Sequence, residues 1–257
     1  MAIIHRATLT PSKPELIREW LPSRPWIEVP DGASVEPVGA FRFDDPDGQV
    51  GVEVHLVDMV APDGVHTLVQ VPLSYRNEEL PGGDHGFIGT LEHSALGTRW
   101  VYDATVDPVF VEELLRTIIE QDTSVAEFIE GEDGPIERER TTHAWGVLAG
   151  PMGGENGNGG IVGSGRTPAY GGEVHANIAD VYTPETENGI TRITVGTSTL
   201  ALTRFPLVDL PIDTVPLPQD HPSGSRTAEA TSPEAFGSLL GTWPGQRDGV
   251  VLAALLG

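Results

Sequence analysis

The segment QVGVEVHLV, residues 49–57, alternates apolar and polar side chains between two Pro-Asp-Gly turns. Alternation over this length predicts a half-buried strand. The apolar side would hold Val50, Val52, Val54 and Leu56, and the polar side Gln49, Glu53 and His55. The turns at 45–48 and 61–64 favour chain reversal, because proline presets one dihedral and glycine tolerates positive φ. Because strands are also predicted from Val38 and in VHTLVQVPLSYR, the sequence predicts an antiparallel meander.

Helices are predicted on both sides of this meander. The first, in PSKPELIREWL, has prolines that suit a first turn and an apolar face of Leu16, Ile17 and Trp20. The second begins after Asp107, an expected N-cap, with Pro108 at its first position. Its apolar stripe is Val111, Leu114, Leu115, Ile118 and Ile119, whereas Glu112, Glu113 and Glu120 are expected to face solvent. The predicted class is α+β, an antiparallel sheet packed with helices.

The second half of the chain is predicted to be another β-rich region. An acidic, irregular stretch, EFIEGEDGPIERER, suggests a boundary near residue 135 and therefore domains at 1–135 and 136–257. A strand is predicted in ERERTTHAWGVLAG. Residues 146–172 contain 11 of the 31 glycines and are expected to form a loop. A segment with so few side chains cannot bury enough surface to offset the entropy lost when its backbone is ordered.

Beyond that loop the patterns again indicate strands. GEVHANIADVY and ITRITVGTSTLALTRF are predicted to pair through TPETENG, whose Asn-Gly favours a hairpin. A connection rich in proline, serine and aspartate, residues 206–234, leads to a final GVVLAALL. This last segment is expected to be an edge strand or a short helix.

Charge and composition exclude several classes of function. The formal charge of −23 is spread evenly, because residues 1–120 carry 8 basic and 20 acidic side chains and the rest carry 7 and 18. Such a surface repels phosphate backbones and anionic lipids, so neither nucleic acid nor a membrane is an expected partner. Lys13 is the sole lysine, which fits either salt adaptation or a GC-rich genome. The absence of cysteine and of a signal-peptide pattern predicts a cytoplasmic protein.

No motif for a cofactor or a metal stands out. The glycine run GPMGGENGNGGIVGSG lacks both the Gly-x-Gly-x-x-Gly spacing and a Gly-Lys-Ser/Thr ending. The eight histidines are scattered, and the closest group that could converge on a cation is Asp84, His85, Glu92 and His93. Surface and structural hydrogen bonding is the simpler explanation of that group. We therefore predict no cofactor, no metal site and no catalytic residue.

Five tryptophans allow two interpretations. Trp20 and Trp26 flank LPSRP, where prolines would hold Arg24 near an aromatic surface. Exposed aromatic rings would suit the apolar faces of sugar rings, as in a carbohydrate-binding module. The simpler interpretation is that these tryptophans anchor the first helix to the core. A carbohydrate-binding module would require a row of exposed rings.

Four segments together resemble a known domain. They are IIHRATLTPSKPELIREWLPSRPW, FRFDDPDGQVGVEV, VPLSYRNEELPG and IGTLEHSALGTRWVYDATVDPVFVEELL. Over roughly residues 1–120 the chain resembles the N-terminal cap of actinobacterial maltokinases and related glucosamine kinases, and more closely proteins built on a maltokinase N-terminal cap-like domain. The resemblance implies a curved antiparallel sheet packed with helices. In those kinases the cap stands beside a two-lobed kinase body.

The kinase body itself is not recognisable in this chain. The 137 residues after residue 120 are fewer than two kinase lobes need, and no His-x-Asp catalytic loop with a downstream Asn occurs. The nearest approach, HANIAD from His175 to Asp180, has the wrong spacing. No catalytic residue of the family is therefore carried over to this chain.

The leading hypothesis is a non-catalytic accessory or regulatory module linked to α-glucan, trehalose or amino-sugar metabolism. It would bind a sugar or a protein partner, such as a sugar kinase or glucan enzyme; the oligomeric state stays open. The candidate binding residues are Trp20, Arg24, Trp26, Tyr75, Arg76, His93, Arg99, Tyr102 and Asp103. One alternative is a small enzyme with its site between the two β-rich regions, using Glu92, His93, Arg99 and Asp103. Another alternative is the carbohydrate-binding module.

Overall fold

The computed structural model of the protein describes residues 2–4, 7–131, 134–137, 140–149, 181–206 and 235–257. Over these residues the chain forms two α-helices, two six-stranded antiparallel sheets and one three-stranded sheet. The helices are α1 (Lys13–Trp20) and α2 (Pro108–Glu120). The strands are β1 (Ala2–Ile4), β2 (Leu9–Thr10), β3 (Ser34–Phe43), β4 (Gly51–Val60), β5 (His66–Arg76), β6 (Phe87–His93), β7 (Gly97–Asp103), β8 (Glu127–Gly131), β9 (Gly134–Glu137), β10 (His143–Leu148), β11 (Glu185–Glu187), β12 (Ile190–Val195), β13 (Ser198–Thr203), β14 (Ala235–Trp243) and β15 (Gln246–Leu256).

The first six-stranded sheet has the order β2-β6-β7-β5-β4-β3 and contains the predicted meander. Strands β3, β4 and β5 pair antiparallel in sequence order, so the prediction of three strands joined by two turns is confirmed. The 45–48 turn is closed by the Asp45 carboxylate, which accepts hydrogen bonds from the backbone N–H groups of Asp47, Gln49 and Val50. The aspartate therefore fixes the turn together with proline and glycine.

Strand β4 is buried on both faces, so the prediction of a half-buried strand was wrong. Its even-numbered side chains face α2, as predicted. On the other face Val57 and Met59 pack under α1, and Glu53 and His55 on that same side are each only 8% exposed. The polar residues at alternate positions of β4 therefore form an internal polar cluster and not a solvated face.

The two helices begin as predicted. α1 starts with a capping box in which the Glu15 carboxylate accepts from the Ser12 backbone N–H, at 2.8 Å. At α2 the Asp107 carboxylate accepts from Val109 N–H at 3.1 Å, the expected N-cap. The apolar stripe of α2 packs in the core, but Glu113 is buried and accepts from Arg116, so its assignment to solvent was wrong.

The second six-stranded sheet has the order β10-β14-β15-β13-β12-β11. A hairpin turns at the predicted Asn-Gly, with Asn188 at φ 50° and Gly189 at φ 75°, but the strand it joins to β12 is β11, which lies inside the predicted connection TPETENG. Most of the predicted partner GEVHANIADVY lies outside the described residues. The segment ITRITVGTSTLALTRF is not one strand, because a turn at Gly196 divides it into β12 and β13. GVVLAALL is neither an edge strand nor a helix: it lies in β15 between β14 and β13, where a continuous apolar run suits burial on both faces.

The first residues of the glycine-rich loop predicted at 146–172 belong to a strand instead. Gly146 lies in β10, where a Cβ atom would come within 2.0 Å of the Thr117 carbonyl oxygen, so this glycine allows the strand to pack on α2. Residues 150–172 of the predicted loop, together with 173–180 and 207–234, lie outside the described residues.

One hydrophobic core joins the two six-stranded sheets. It combines apolar side chains of β3 and β4, α2, and β12 to β15. Gln70 of β5 adds polar links, because its side-chain amide donates to the carbonyl oxygens of Thr203 and Leu252, each at 3.0 Å. The molecule is therefore mostly β, with one strongly curled sheet, and not clearly α+β. The division at residue 135 stays a prediction about independently folding units.

Candidate functional site

A cleft of about 720 Å³ opens where the 45–48 turn of the first sheet meets the start of α1. Its polar lining includes Lys13, Arg42, Glu53, Tyr75, His93 and Arg99. Pockets that hold small molecules commonly measure about 300 to 1,000 Å³ and combine apolar walls with a few placed polar groups. The size and lining therefore fit a small ligand.

Strand register explains why these side chains share one surface. Arg42 of β3 lies opposite Glu53 of β4, and Tyr75 of β5 lies opposite Val101 of β7. Arg99 is two residues before Val101, so both side chains project from the same face of β7. Lys13 comes from the first turn of α1, which packs on that face. These four strands and a helix thus contribute to the cleft.

Glu53 is the centre of a buried polar cluster at the floor of the cleft. Its carboxylate forms an ion pair with Lys13 and accepts a hydrogen bond from the Tyr75 hydroxyl at 3.3 Å. His55 Nε2 lies 3.2 Å from both the carboxylate and the Tyr75 hydroxyl. The Lys13 ammonium also lies 5.1 Å from the centre of the Tyr75 ring. These contacts fix the orientation of every polar group at the floor.

The electrostatics of this cluster favour an ionised glutamate. Burial works against ionisation, but the nearby His55 and Lys13 charges outweigh it and hold the pKa of Glu53 well below its usual value. Burial raises the pKa of Tyr75 well above its usual value, and the nearby Glu53 charge raises it further. Tyr75 therefore remains a hydroxyl donor and Glu53 an acceptor throughout the neutral range.

Two guanidinium groups of the cleft have spare donors. Within the described part of the chain, the guanidinium groups of Arg42 and Arg99 form neither a hydrogen bond nor an ion pair, and the Nε atom of Arg42 is buried without a partner. Arg42 acts on Glu53 only as a nearby charge. We call Arg42 and Arg99 the cleft arginines.

Two other arginines are paired with buried carboxylates, although Arg204 Nη1 is buried without a hydrogen-bond partner. Arg204, 1% exposed, donates to Asp103 at 2.6 Å and to the Thr191 hydroxyl at 2.7 Å. Arg76 donates twice to the Asp107 carboxylate, with both distances 2.7 Å. We call Arg204–Asp103 and Arg76–Asp107 the sealed pairs. They tie the two sheets together and hold the start of α2, so their chemistry is structural.

The tryptophans that were candidates for sugar stacking are packed inside. Trp20 is 5% exposed and meets Trp26 edge-on at 6.0 Å, and Trp26 meets Phe205 at 5.9 Å. The Arg24 guanidinium lies 5.0 Å from the Trp20 ring, and Arg204 lies 4.9 Å from the ring of Trp26. Trp243 is buried, and Trp100 and Trp145 are partly buried. The tryptophans therefore offer no row of exposed rings.

The predicted binding residues divide between the cleft and the frame. Tyr75, His93 and Arg99 line the cleft. The others are engaged elsewhere: Arg76 and Asp103 in the sealed pairs, and Tyr102 as acceptor of the Leu80 N–H at 2.9 Å.

The four residues proposed for an enzyme do not form one site. His93 and Arg99 line the cleft, but Asp103 is bound to Arg204. Glu92 is exposed and accepts from the Thr98 hydroxyl at 2.7 Å. The cleft also lies within the first sheet and not between the two β-rich regions. The proposed constellation is therefore dispersed.

The proposed cation group is also dispersed. His85 Nε2 lies 2.9 Å from the Tyr182 carbonyl oxygen, and Glu92 is taken up by Thr98. Across the described ranges, no set of three or more His, Asp or Glu side chains is placed to hold a metal ion. In those same ranges, no helix is both long and apolar enough to cross a membrane.

Sequence reasoning missed Lys13, Arg42, Glu53 and His55. Two signals pointed to them: Lys13 is the sole lysine, and Glu53 and His55 interrupt a strand whose next residues on that side are Val57 and Met59. A side that changes from polar to apolar along one strand indicates that part of it is covered. The partner of Glu53 comes from α1, 40 residues away, which alternation alone does not reveal.

Comparison with known proteins agrees with the resemblance seen in the sequence. Residues 20–107 match the family model of the maltokinase N-terminal cap domain. This range contains β3 to β7, most of the cleft and the Asp103 and Asp107 carboxylates. A comparison with curated proteins finds no match for the chain. The protein therefore carries a maltokinase N-terminal cap-like domain.

Proposed function

We propose that this chain is a non-catalytic accessory or regulatory module that binds a sugar in the cleft of its cap-like domain. The observation that carries the proposal is the open cleft of about 720 Å³ with fixed donors and acceptors on its floor. Sugar hydroxyls both donate and accept, so they need both kinds of group nearby. Glu53 accepts, Arg99 donates, and the Gln49 amide on the wall can do either.

The position of the predicted binding residues favours a sugar over a protein partner. A protein interface needs exposed anchors, but Trp20, Tyr102 and Asp103 are buried. Tyr75, His93 and Arg99 instead converge on a concave site. If no sugar binds, a pull-down should then test whether the partner is a sugar kinase or a glucan enzyme.

The metabolic setting follows from the matched family. The cap domain takes its name from maltokinase, and a ligand from α-glucan, trehalose or amino-sugar metabolism is part of the proposal on that basis. The non-catalytic role is supported by the dispersal of Glu92 and Asp103 away from the cleft.

A thermal-shift titration with maltose, trehalose, glucosamine and glucose tests this function. Binding to the folded state raises the unfolding midpoint as the sugar concentration increases. At a ligand concentration 100 times Kd, the folded state gains about 2.7 kcal/mol of stability. At least one sugar should give this dependence with wild-type protein.

A matched pair of variants locates the effect. Leu96 lines the cleft and is 48% exposed, so Leu96→Trp should block the site without disturbing the core. Val65 is 57% exposed and lies outside the cleft lining, so Val65→Trp is the control. Retention of the sugar response in Leu96→Trp, or no response to any sugar in wild type, would contradict the proposed function.

A further inference from the structure

We infer that the ligand of the cleft carries an oxyanion, a phosphate or carboxylate group, which the cleft arginines bind. The inference rests on the proposed function and names the chemical class of that ligand. It comes from a cleft beside which two guanidinium groups of the described structure have unused donors.

Three other arginines of the described structure show the alternative arrangement, in which a guanidinium pairs with a carboxylate. The chain has 38 acidic and only 15 basic side chains, so carboxylate partners are plentiful. Arg204, Arg76 and Arg116 each donate to a carboxylate at 2.6 to 3.0 Å. The cleft arginines have no such partner among the described residues. Their free donors therefore call for a ligand.

The acidic residues that line the cleft are already engaged. Asp45 accepts three backbone N–H groups, at 3.0, 2.7 and 2.7 Å. Glu53 is held by Lys13 and the Tyr75 hydroxyl, and Asp44 also has an interaction of its own. Because the Asp45 carboxylate and Glu53 Oε2 already have partners, and Glu53 Oε1 is left for a sugar hydroxyl, most of the unused hydrogen-bonding capacity of the cleft is on the donor side.

The chemistry of guanidinium selects the ligand group. Its planar fork matches phosphate and carboxylate oxygens bidentately, whereas a sugar hydroxyl satisfies at most one arm. The buried Nε of Arg42 has no partner, so no described residue of the protein holds this guanidinium through a hydrogen bond. An oxyanion bound by the cleft arginines would occupy a small part of about 720 Å³, leaving space for a hydroxyl-rich body.

Isothermal titration calorimetry on the whole chain at constant ionic strength tests the inference. The probes are inorganic phosphate, glucose 6-phosphate, glucuronate and glucose, which separate phosphate from carboxylate and the anion from the sugar body. We expect at least one of the two charged sugars to bind about tenfold or more tighter than glucose, because charge-assisted hydrogen bonds are at stake.

Two substitutions and a control assign the contact. Arg99→Gln and Arg42→Gln should each weaken binding of the charged sugar by about tenfold or more and weaken glucose binding less, because a glutamine amide can still donate a neutral hydrogen bond to a hydroxyl. Arg18→Gln removes an exposed arginine of α1 outside the cleft lining and should change nothing. Arg99→Gln alone decides the matter if Arg42→Gln misfolds, as judged by circular dichroism.

Each outcome bears on one claim. Equal binding of glucose and both charged sugars, insensitive to the arginine substitutions, overturns the oxyanion and leaves the sugar-binding function standing. Binding of inorganic phosphate that is lost in Arg99→Gln supports the oxyanion even if every neutral sugar fails, and then the proposed sugar specificity falls. Failure of all four probes overturns the inference, and the Leu96→Trp thermal-shift pair then judges the function separately.

Discussion

The sealed pairs and the cleft arginines both involve side chains of the first six-stranded sheet or the start of α2, but they differ in what surrounds them. In the sealed pairs each guanidinium meets a carboxylate at 2.6 or 2.7 Å, and Asp107 is fully buried. In the cleft two guanidinium groups meet open space, although the protein is rich in acids. The difference shows that the polar residues of one sequence stretch serve two purposes. Those at 102–107 hold the frame, and those at 91–99 reach the cleft.

The largest expected effect comes from breaking the first sealed pair. Arg204→Met leaves the Asp103 carboxylate buried without its partner and should lower the free energy of unfolding by about 3 to 5 kcal/mol. Urea denaturation followed by tryptophan fluorescence measures this loss. The double variant Arg204→Met with Asp103→Asn should regain part of it. A loss below about 1 kcal/mol in the single variant would show that the pair does not tie the sheets together.

Breaking the second sealed pair should cost slightly less. Asp107→Ala removes both the N-cap of α2 and the bonds from Arg76, for an expected loss of about 3 kcal/mol. Asp107→Asn keeps a capping oxygen and should lose about 2 kcal/mol. Urea denaturation of the two variants separates cap from charge pair, and equal losses would mean that the charge contributes nothing.

The Glu53 cluster at the cleft floor predicts acid sensitivity. Because the folded-state pKa of Glu53 is depressed, its stabilisation is present above the ordinary carboxyl pKa, near 4.5, and is lost as the pH falls towards the folded value. Glu53→Gln should lower the free energy of unfolding by about 1.5 kcal/mol at pH 7 and flatten this acid decline. The exposed Glu36→Gln is the control. An unchanged pH slope in Glu53→Gln would contradict the pKa direction.

The cleft arginines should matter least for stability. Arg99→Gln removes no hydrogen bond or ion pair of the described structure, so the unfolding free energy should change by less than about 0.5 kcal/mol. Side-by-side urea curves of Arg99→Gln and Arg204→Met measure the contrast directly. If Arg99→Gln is as damaging as Arg204→Met, the cleft is part of the frame and not a ligand site.

Much of the frame could be predicted from local patterns. The turns at 45–48 and 61–64, the Asp107 N-cap and the Asn188–Gly189 hairpin depend on residues close in sequence, and the structure contains each of them. The prediction of an edge strand or short helix for GVVLAALL was wrong because a short apolar run does not reveal its neighbours. Only the pairing of β15 with β13 and β14 shows that it is a central strand.

The site was harder to predict because its contacts are distant in sequence. The Lys13–Glu53 pair spans 40 residues and the Arg204–Asp103 pair spans 101. From sequence alone, Asp103 and Arg99 look equally suited to chemistry. Burial separates them, since Asp103 faces an arginine of the second sheet whereas Arg99 faces the cleft. The mostly β character of the fold likewise becomes clear only in the structure, where α2 packs in one core with strands of both six-stranded sheets.

Hydrogen–deuterium exchange of the whole chain, with and without glucose 6-phosphate, tests the central claim that the cleft carries the ligand and the sealed pairs carry the frame. The account predicts slower exchange in residues 42–53 and 91–99, and no change in residues 102–107 and 190–204. Protection confined to the segments of the sealed pairs, or no protection in either region, would contradict it.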